Sequence, residues 1–227
     1  MTAIDHCLAV LACLVCVSQL FVRIDPARYR RVEFYQAGAA TGIMFAFLPL
    51  LGWWASHRPI GLFGLHGWSA AGSLPWGAAW AALLAAIVLL VRYGVKRAWL
   101  AGIYRDYAWI MPRSRGELAA SWATSIAAGA GEEIAFRGFL LWYAAGLVGA
   151  PAGLLLSSLL FGLMHAYQRA RGMAWASAAG LVLGGAYLAS GSLLLVIWMH
   201  ATWNMASFTV GWIVLAPGTG EGERVPL

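Results

Sequence analysis

Apolar runs long enough to cross a lipid bilayer recur along this sequence. A membrane-spanning helix needs about 20 mostly apolar residues, and several runs here reach that length. Only 11% of the 227 residues are charged and 62% are hydrophobic, whereas about a quarter of the residues in soluble domains are charged. This scarcity of charge excludes an ordinary soluble enzyme, a disordered chain and a collagen-like chain. The sequence therefore predicts an all-α, polytopic membrane helix bundle.

The positions of these runs predict about seven transmembrane helices. The fourth run forms either one long tilted helix or two pieces broken near Gly129 and Gly131. The Gly-rich stretch 59–73, with His66 and Trp68, is predicted to be a re-entrant or interfacial piece. The predicted spans are 3–22, 37–55, 74–93, 117–147, 151–167, 173–189 and 192–216. Tryptophans near the span ends predict an aromatic belt: Trp53, Trp54, Trp76, Trp109, Trp175 and Trp212.

The basic residues predict how these spans are oriented. With the N-terminus outside, thirteen of the fifteen Lys and Arg residues fall on the inner segments 23–36, 92–116 and 168–172 and the C-terminal tail. This asymmetry follows the positive-inside rule. The net charge of +6 therefore reflects membrane topology, and no nucleic-acid partner is expected. The Arg-, Ala- and Gly-rich composition is typical of a GC-rich bacterial genome, so we expect a multi-pass protein of the bacterial cytoplasmic (inner) membrane.

The most informative side chains are ionisable groups inside the C-terminal spans. A charge at the bilayer centre costs about 3 kcal/mol on insertion scales, so such groups are expected to be functional. Glu133 and Arg137 are spaced i,i+4 with the acid first, the favourable order for a helical ion pair. Glu132 then lacks a partner at this spacing and is free to accept a proton from water. The alternative is that both acids simply neutralise Arg137.

Two further polar groups follow on later spans. His165 ends the stretch 161–165, and His200 and Asn204 share one helix face because of their i,i+4 spacing. Taken singly, His165 fits a structural histidine, and the second pair fits hydrogen bonding between helices. Taken together with the glutamates, these residues supply an acid, two imidazoles and a carboxamide. Such a set is sufficient to activate water and to stabilise an oxyanion.

The order of these motifs resembles the CaaX protease and bacteriocin-processing family, also called the Abi family. The resemblance covers about residues 110–210, and the stretch 111–117 is similar to the lead-in of the first family motif. It implies an intramembrane endopeptidase related to the type II CaaX prenyl endopeptidases. The motifs stand here as Glu132-Glu133-Ile134-Ala135-Phe136-Arg137, Phe161 to His165, and His200 to Asn204.

The resemblance also implies a role for each motif position. In the family, a glutamate and a histidine activate the nucleophilic water, while a second histidine and an asparagine form the oxyanion hole. Neighbouring residues support this site. The corresponding residues here are, in that order, Glu132 and His165, then His200 and Asn204, then the supporting Glu133, Arg137 and Phe161.

No cofactor is expected, and zinc is the alternative that stays open. The chemistry of Glu132, His165 and His200 would suit a zinc ion. Against zinc, the sequence has no His-Glu-x-x-His helix, and the two spanning histidines are 35 residues apart. We therefore favour a metal-independent glutamate mechanism.

Two functions other than proteolysis are also alternatives. Glu, His and Arg inside spans build proton or transport pathways in other membrane proteins. That function would predict inverted repeats in both halves, and the first three spans lack matching motifs. The second alternative is a non-enzymatic role in bacteriocin immunity, which the resemblance also implies for some family members. The intact motif set favours the enzyme.

The predicted organisation has three parts. Residues 1–110 form accessory transmembrane helices, residues 111–216 form the catalytic transmembrane core, and residues 217–227 form a short C-terminal tail. The expected partners are the lipid bilayer and a membrane-anchored protein or peptide substrate, such as a C-terminal sorting signal or a bacteriocin-type peptide. The pattern carries no prediction of the oligomeric state.

Overall fold

The computed structural model of the chain describes residues 1–25, 30–65, 72–94 and 97–215. Within these residues the fold consists of helices without any strand, which confirms the predicted all-α class. The predictions for His66, Trp68 and the tail 217–227 lie outside the described residues. The α-helices are α1 (Ala3–Ser18), α2 (Arg31–Ala55), α3 (Leu74–Leu89), α4 (Arg97–Tyr104), α5 (Arg115–Glu133), α6 (Trp142–Val148), α7 (Ala150–Met164), α8 (Arg169–Ser190) and α9 (Leu193–Leu215).

Four helical segments within the described ranges are long and apolar enough to cross a membrane: Arg31–Ala55, Leu74–Tyr93, Ala166–Ser190 and Leu193–Leu215. The apolar helices Ala3–Ser18 and Ala150–Met164 are shorter. Their 16 and 15 residues fall below the length of about 20 that a bilayer crossing needs. The chain is thus a multi-pass helical membrane protein, and four of the roughly seven predicted spans meet the length and hydropathy of a crossing.

Helices extend into all three of the predicted inner segments between spans. α2 begins at Arg31, α4 covers Arg97–Tyr104 and α8 begins at Arg169, although the apolar pattern placed these residues outside the spans. The physical reason is that hydropathy marks only the part of a helix that lipid covers. The helical hydrogen-bond ladder continues beyond that part until the chain is capped or turned.

The fourth predicted span is one continuous helix, made of α5, a π-helical segment at Ile134–Leu141, and α6. The glycines at which a break was considered serve close packing. An ideal Cβ at Gly131 would lie 1.8 Å from the carbonyl oxygen of Gly42 in α2. At Gly129, an ideal Cβ would lie 3.0 Å from the backbone nitrogen of Ala201 in α9. Small residues therefore let two helix backbones approach α5 just before its glutamates.

The π-helical segment changes the hydrogen-bonding register directly after those glutamates, and all eight of its residues are buried. The Ser157 hydroxyl of α7 donates a hydrogen bond to the carbonyl oxygen of Phe136, at 2.8 Å. This contact satisfies a buried carbonyl within the irregular ladder and ties the segment to α7. Because π segments are rare and frequently lie at functional sites, this irregularity indicates a functional region around residue 134.

A buried ion pair fastens the start of α1 to the chain that follows α2. The carboxylate of Asp5 accepts hydrogen bonds from Arg58 Nη1 at 2.6 Å and from Nη2 at 2.5 Å, and these bonds raise the pKa of Arg58 above its usual value. The guanidinium lies over the rings of Trp53 and Trp142, 5.0 and 4.7 Å from their centroids. Trp53 is therefore only 2% exposed, and its predicted place in the aromatic belt is wrong. Its neighbour Trp54 is 75% exposed.

Polar contacts at the other end of α2 hold it beside the start of α5. The Ser114 hydroxyl caps α5 by accepting a hydrogen bond from the backbone nitrogen of Glu117, at 3.2 Å. The Glu117 carboxylate accepts a hydrogen bond from the backbone nitrogen of Arg113 at 2.7 Å and lies 3.9 Å from Arg31 Nη1. Arg113 also donates to the carbonyl oxygen of Leu215 at the end of α9. These contacts fix α2, α5 and α9 to one another at this end.

Candidate active site

The three polar motifs lie on neighbouring helices. Glu132 and Glu133 are the last residues of α5, His165 directly follows α7, and His200 and Asn204 lie in α9. α5 packs against α9, and the π-helical segment packs against α7. The fold therefore brings together motifs that are separated by more than 60 residues in the sequence.

Glu133 is the centre of a buried ionic network. Its Oε1 lies 2.7 Å from Arg137 Nη1 and also 2.7 Å from His200 Nδ1. The first contact confirms the ion pair predicted from the i,i+4 spacing. A carboxylate bound to Arg accepts hydrogen bonds, so Nδ1 of His200 donates the second one. Through this bond, α5 determines the orientation of a histidine on α9.

Arg137 is held by groups from three helices. Besides its bond to Glu133, its Nη2 donates to the carbonyl oxygen of Gly180 in α8 at 3.3 Å. Its Cζ also lies 4.4 Å from the centroid of the Phe161 ring. A buried cation needs such partners because it has lost its hydration. The Phe161 ring further lies 5.8 Å from the ring of His200, so it has contacts through which the predicted supporting role would act.

Glu132 differs from its neighbour in lacking a short ionic contact, although Oε2 of each glutamate is buried and without a hydrogen-bond partner among the described residues. Its Oε2 lies 3.9 Å from Nε2 of His200, and this buried atom has no hydrogen-bond partner among the described residues. The side chain is 20% exposed, against 0% for Glu133. Since buried polar atoms in proteins nearly always have partners, this oxygen indicates a position at which water or substrate binds.

His165 lies where α7 gives way to a 3₁₀ turn at Ala166–Gln168. Its Nδ1 is 3.0 Å from the carbonyl oxygen of Phe161, which can only accept a hydrogen bond. Nδ1 therefore carries the hydrogen, and Nε2 is left as the nitrogen available for chemistry. The half-buried imidazole has two ring neighbours, Phe161 at 4.9 Å and Tyr167 at 6.1 Å between centroids.

Two of the predicted catalytic residues are not joined directly to the ionic network. Within the described ranges, neither His165 nor Asn204 forms a hydrogen bond or ion pair with a glutamate or with His200. Asn204 is half-buried and lies one turn of α9 beyond His200. The structure thus connects Glu132, Glu133, Arg137 and His200, with Phe161 in contact with both histidines.

The residues proposed as zinc ligands are not gathered into a metal site. In the part of the chain that the structure describes, no group of three or more His, Cys, Asp or Glu side chains is placed to hold a metal ion. We therefore derive no step through a metal from this geometry.

A comparison with known families identifies the class of protein in which this arrangement occurs. Residues 114–206 match the sequence model of the family described as type II CAAX prenyl endopeptidase Rce1-like. This segment is similar to the Rce1-like family. The match confirms the resemblance to the CaaX protease family that the motifs predicted. Neither the curated proteins nor the solved structures gave a match to the chain.

Every residue predicted for the site lies inside the Rce1-like segment. The match therefore indicates a membrane-embedded protease of the CAAX type, at the level of the family. The helices α1 to α4 lie outside the segment. α2 nevertheless touches α5 through Gly42 and Gly131, directly beside Glu132.

Sequence reasoning missed the hydrogen bond between Glu133 and His200. It paired Glu133 with Arg137 alone and treated His200 as an oxyanion donor or, in the alternative, as a zinc ligand. The charge balance was the available signal, because two acids and one Arg leave one negative charge that a buried histidine can compensate. The ring contact between Tyr167 and Phe34 beside His165 was also missed, and no spacing pattern links residue 34 to residue 167.

Proposed function

We propose that this chain is an intramembrane endopeptidase that hydrolyses a peptide bond with a glutamate-activated water. The observation that carries the proposal is the unequal state of the two glutamates. Glu133 is fully buried and bound by Arg137 and His200 at 2.7 Å. Glu132 is 20% exposed and lies 3.9 Å from the same histidine, and its Oε2 has no partner among the described residues. The Rce1-like match of residues 114–206 supports the protease class.

Glu132 is the general base of the proposed reaction. Its free oxygen accepts a proton from a water molecule while the water oxygen attacks the scissile carbonyl carbon. His165 contacts this water through Nε2, since its Nδ1 is engaged by the Phe161 carbonyl. Glu132 then returns the proton to the leaving amine nitrogen, which restores the free carboxylate and completes the hydrolysis.

His200 and Asn204 stabilise the oxyanion. With Nδ1 bound to Glu133, only Nε2 of His200 is available to a substrate oxygen. A protonated His200 and Arg137 together balance the charges of the two glutamates, and a balanced cluster is the arrangement that a low-dielectric site favours. Nε2–H is then one oxyanion donor. The carboxamide of Asn204, about 6 Å further along the helix axis, is the other.

The proposed substrate is a membrane-anchored protein or peptide, such as a C-terminal sorting signal or a bacteriocin-type peptide. Glu132 lies near the middle of the continuous helix 115–148, about 25 Å from either end at 1.5 Å per residue. A peptide that reaches this depth enters from within the bilayer. The proposed topology has about seven spans with an outside N-terminus, in the bacterial inner membrane. The four membrane-length helices support a multi-pass membrane protein.

A cleavage assay in reconstituted bilayers tests the proposed function. Membrane-anchored peptides are incubated with the wild type, Glu132→Gln and His165→Ala, and the products are identified by mass spectrometry. We expect kcat to fall about 10²- to 10⁴-fold in Glu132→Gln, the usual contribution of a general base. Glu117→Gln is the matched control, because Glu117 lies on the same helix but in its first turn.

The assay also separates the alternatives. Full activity in Glu132→Gln would end the glutamate mechanism. Activity that a chelator removes and zinc restores would replace it with the metal mechanism. A wild-type protein that cleaves nothing but conducts protons or binds a bacteriocin-type peptide would replace the protease with a transport or immunity function.

A further inference from the structure

The turn that follows α7 begins at His165 and contains one residue of unusual backbone geometry. Arg169, four residues after the histidine, has φ 63° and ψ −174°. A non-glycine residue in this region costs about 1–3 kcal/mol and persists only where surrounding contacts determine the backbone.

Tyr167 is the side chain of this turn that reaches the histidine. Its ring lies 6.1 Å from the ring of His165 at an interplanar angle of 28°, within the range of aromatic pairs that attract each other. Its hydroxyl accepts a hydrogen bond from Nε2 of Gln168 at 2.8 Å. His165 is thus oriented by the Phe161 carbonyl through one nitrogen and by Tyr167 through its ring.

Tyr167 packs in turn against α2. The ring of Phe34 lies 6.2 Å from the ring of Tyr167 at an angle of 61°, and 5.2 Å from the ring of Trp109. Tyr35, the next residue of α2, is buried and donates a hydrogen bond from its hydroxyl to the carbonyl oxygen of Ile110, at 2.6 Å. The backbone that carries Phe34 is therefore anchored, and the ring is a fixed support for Tyr167.

We propose that Phe34 is a positioning residue for the hydrolysis, because it holds Tyr167 on the ring of His165 and so keeps Nε2 aimed at the reacting water. The inference rests on the proposed function, since it concerns the same site. Phe34 lies outside the Rce1-like segment and acts only through Tyr167. Part of the catalytic geometry is therefore supplied by a helix that the family match does not include.

The full-length variant Phe34→Ala in reconstituted bilayers tests this inference. Without the ring, Tyr167 loses its support and the imidazole shifts. Since a misplacement of about 1 Å can cost about 100-fold in rate, we expect kcat to fall roughly 10- to 100-fold while KM stays unchanged. Phe34→Tyr keeps the ring and retains kcat. Phe47→Ala is the matched control on the same helix, because that ring is 59% exposed.

Two further measurements separate positioning from folding. The imidazole nitrogens of His165, assigned by their loss in His165→Ala, are followed by ¹⁵N NMR. We expect them to shift in Phe34→Ala but not in Phe47→Ala. The double variant of Phe34 and Tyr167 to alanine is expected to have the same kcat as the less active of the two single variants. The reason is that the effects of contacting residues that act as one unit are not additive.

The outcomes distinguish this inference from the proposed function. Wild-type kcat and unshifted His165 resonances in Phe34→Ala would overturn the inference, while an inactive Glu132→Gln would leave the proposed function in place. A loss of folded protein with unchanged kcat per folded molecule would also overturn it. Full activity in both Glu132→Gln and His165→Ala would instead remove the proposed function.

Discussion

Two ion pairs in this molecule differ in how completely their oxygen atoms are paired. In the N-terminal region, both oxygens of Asp5 receive hydrogen bonds from Arg58. In the Rce1-like segment, one oxygen of Glu133 contacts both Arg137 and His200. Its other oxygen and Oε2 of Glu132 have no hydrogen-bond partner in the described part of the chain. The first pair is complete, whereas the second leaves acceptor atoms free beside an imidazole.

This difference teaches that burial alone does not mark a functional charge. Asp5 and Arg58 join the ends of two helices, and every strong acceptor there has a donor. The glutamates lie near the middle of the continuous helix 115–148, where unpaired acceptors are destabilising. Such atoms are retained where chemistry needs them. The free energy of unfolding, measured by denaturing detergent titration, therefore tests the comparison directly.

Glu133→Gln is expected to have the largest effect on stability. The change removes the negative charge that Arg137 and His200 share and leaves the buried Arg137 without its ionic partner. Loss of one partner from a buried pair costs about 3–5 kcal/mol, and we expect the upper end because His200 loses the same carboxylate. Cleavage activity per folded molecule should fall as well. A stable, active Glu133→Gln protein would contradict the network described for Glu133.

Arg58→Ala is expected to cost about 3 kcal/mol, the lower end of the range for a broken buried pair, since the Arg58 side chain is partly exposed. Asp5 loses both bonds to Arg58 and keeps only the Thr2 donors on Oδ2. Trp53 and Trp142 lose the cation between them. In contrast to Glu133→Gln, the activity of the folded molecules should not change. A selective loss of activity at full stability would contradict the structural role of this pair.

Gly131→Ala separates packing from charge beside the network. The new methyl group would meet the Gly42 carbonyl, and overpacking of this kind costs about 1–3 kcal/mol. Gly185→Ala in α8 is the matched control, because an added Cβ meets nothing within 4 Å there. That control should be as stable as the wild type or slightly more stable. Equal stability of both variants would show that α2 and α5 are not in close contact.

Glu132→Gln is expected to change stability least, by about 1 kcal/mol or less, as for a partly exposed ion pair, because its ionic contact with Nε2 of His200 is long, at 3.9 Å. Its Oε2 has no hydrogen-bond partner to lose within the described residues. Large loss of activity at unchanged stability is the signature of a catalytic group. A loss of several kcal/mol would instead show that Glu132 is a structural partner of His200.

Much of the fold and the local part of the site could be predicted from sequence. Hydropathy indicated the membrane helices, and the spacing of Glu133 and Arg137 predicted their ion pair. Both signals are local, since they depend on residues within a few helical turns. The burial of Trp53 could not be predicted in this way, because it depends on Arg58 and on Trp142 from a distant helix.

The sequence by itself determined that the chain is an all-helical membrane protein and which polar side chains are unusual for such helices. Only the tertiary structure decided which of them meet. His200 binds Glu133 from 67 residues away, and Phe34 of α2 supports the turn beside His165. The physical reason is that helical spacing determines which side chains share a face. The partner across that face depends on how the whole bundle packs.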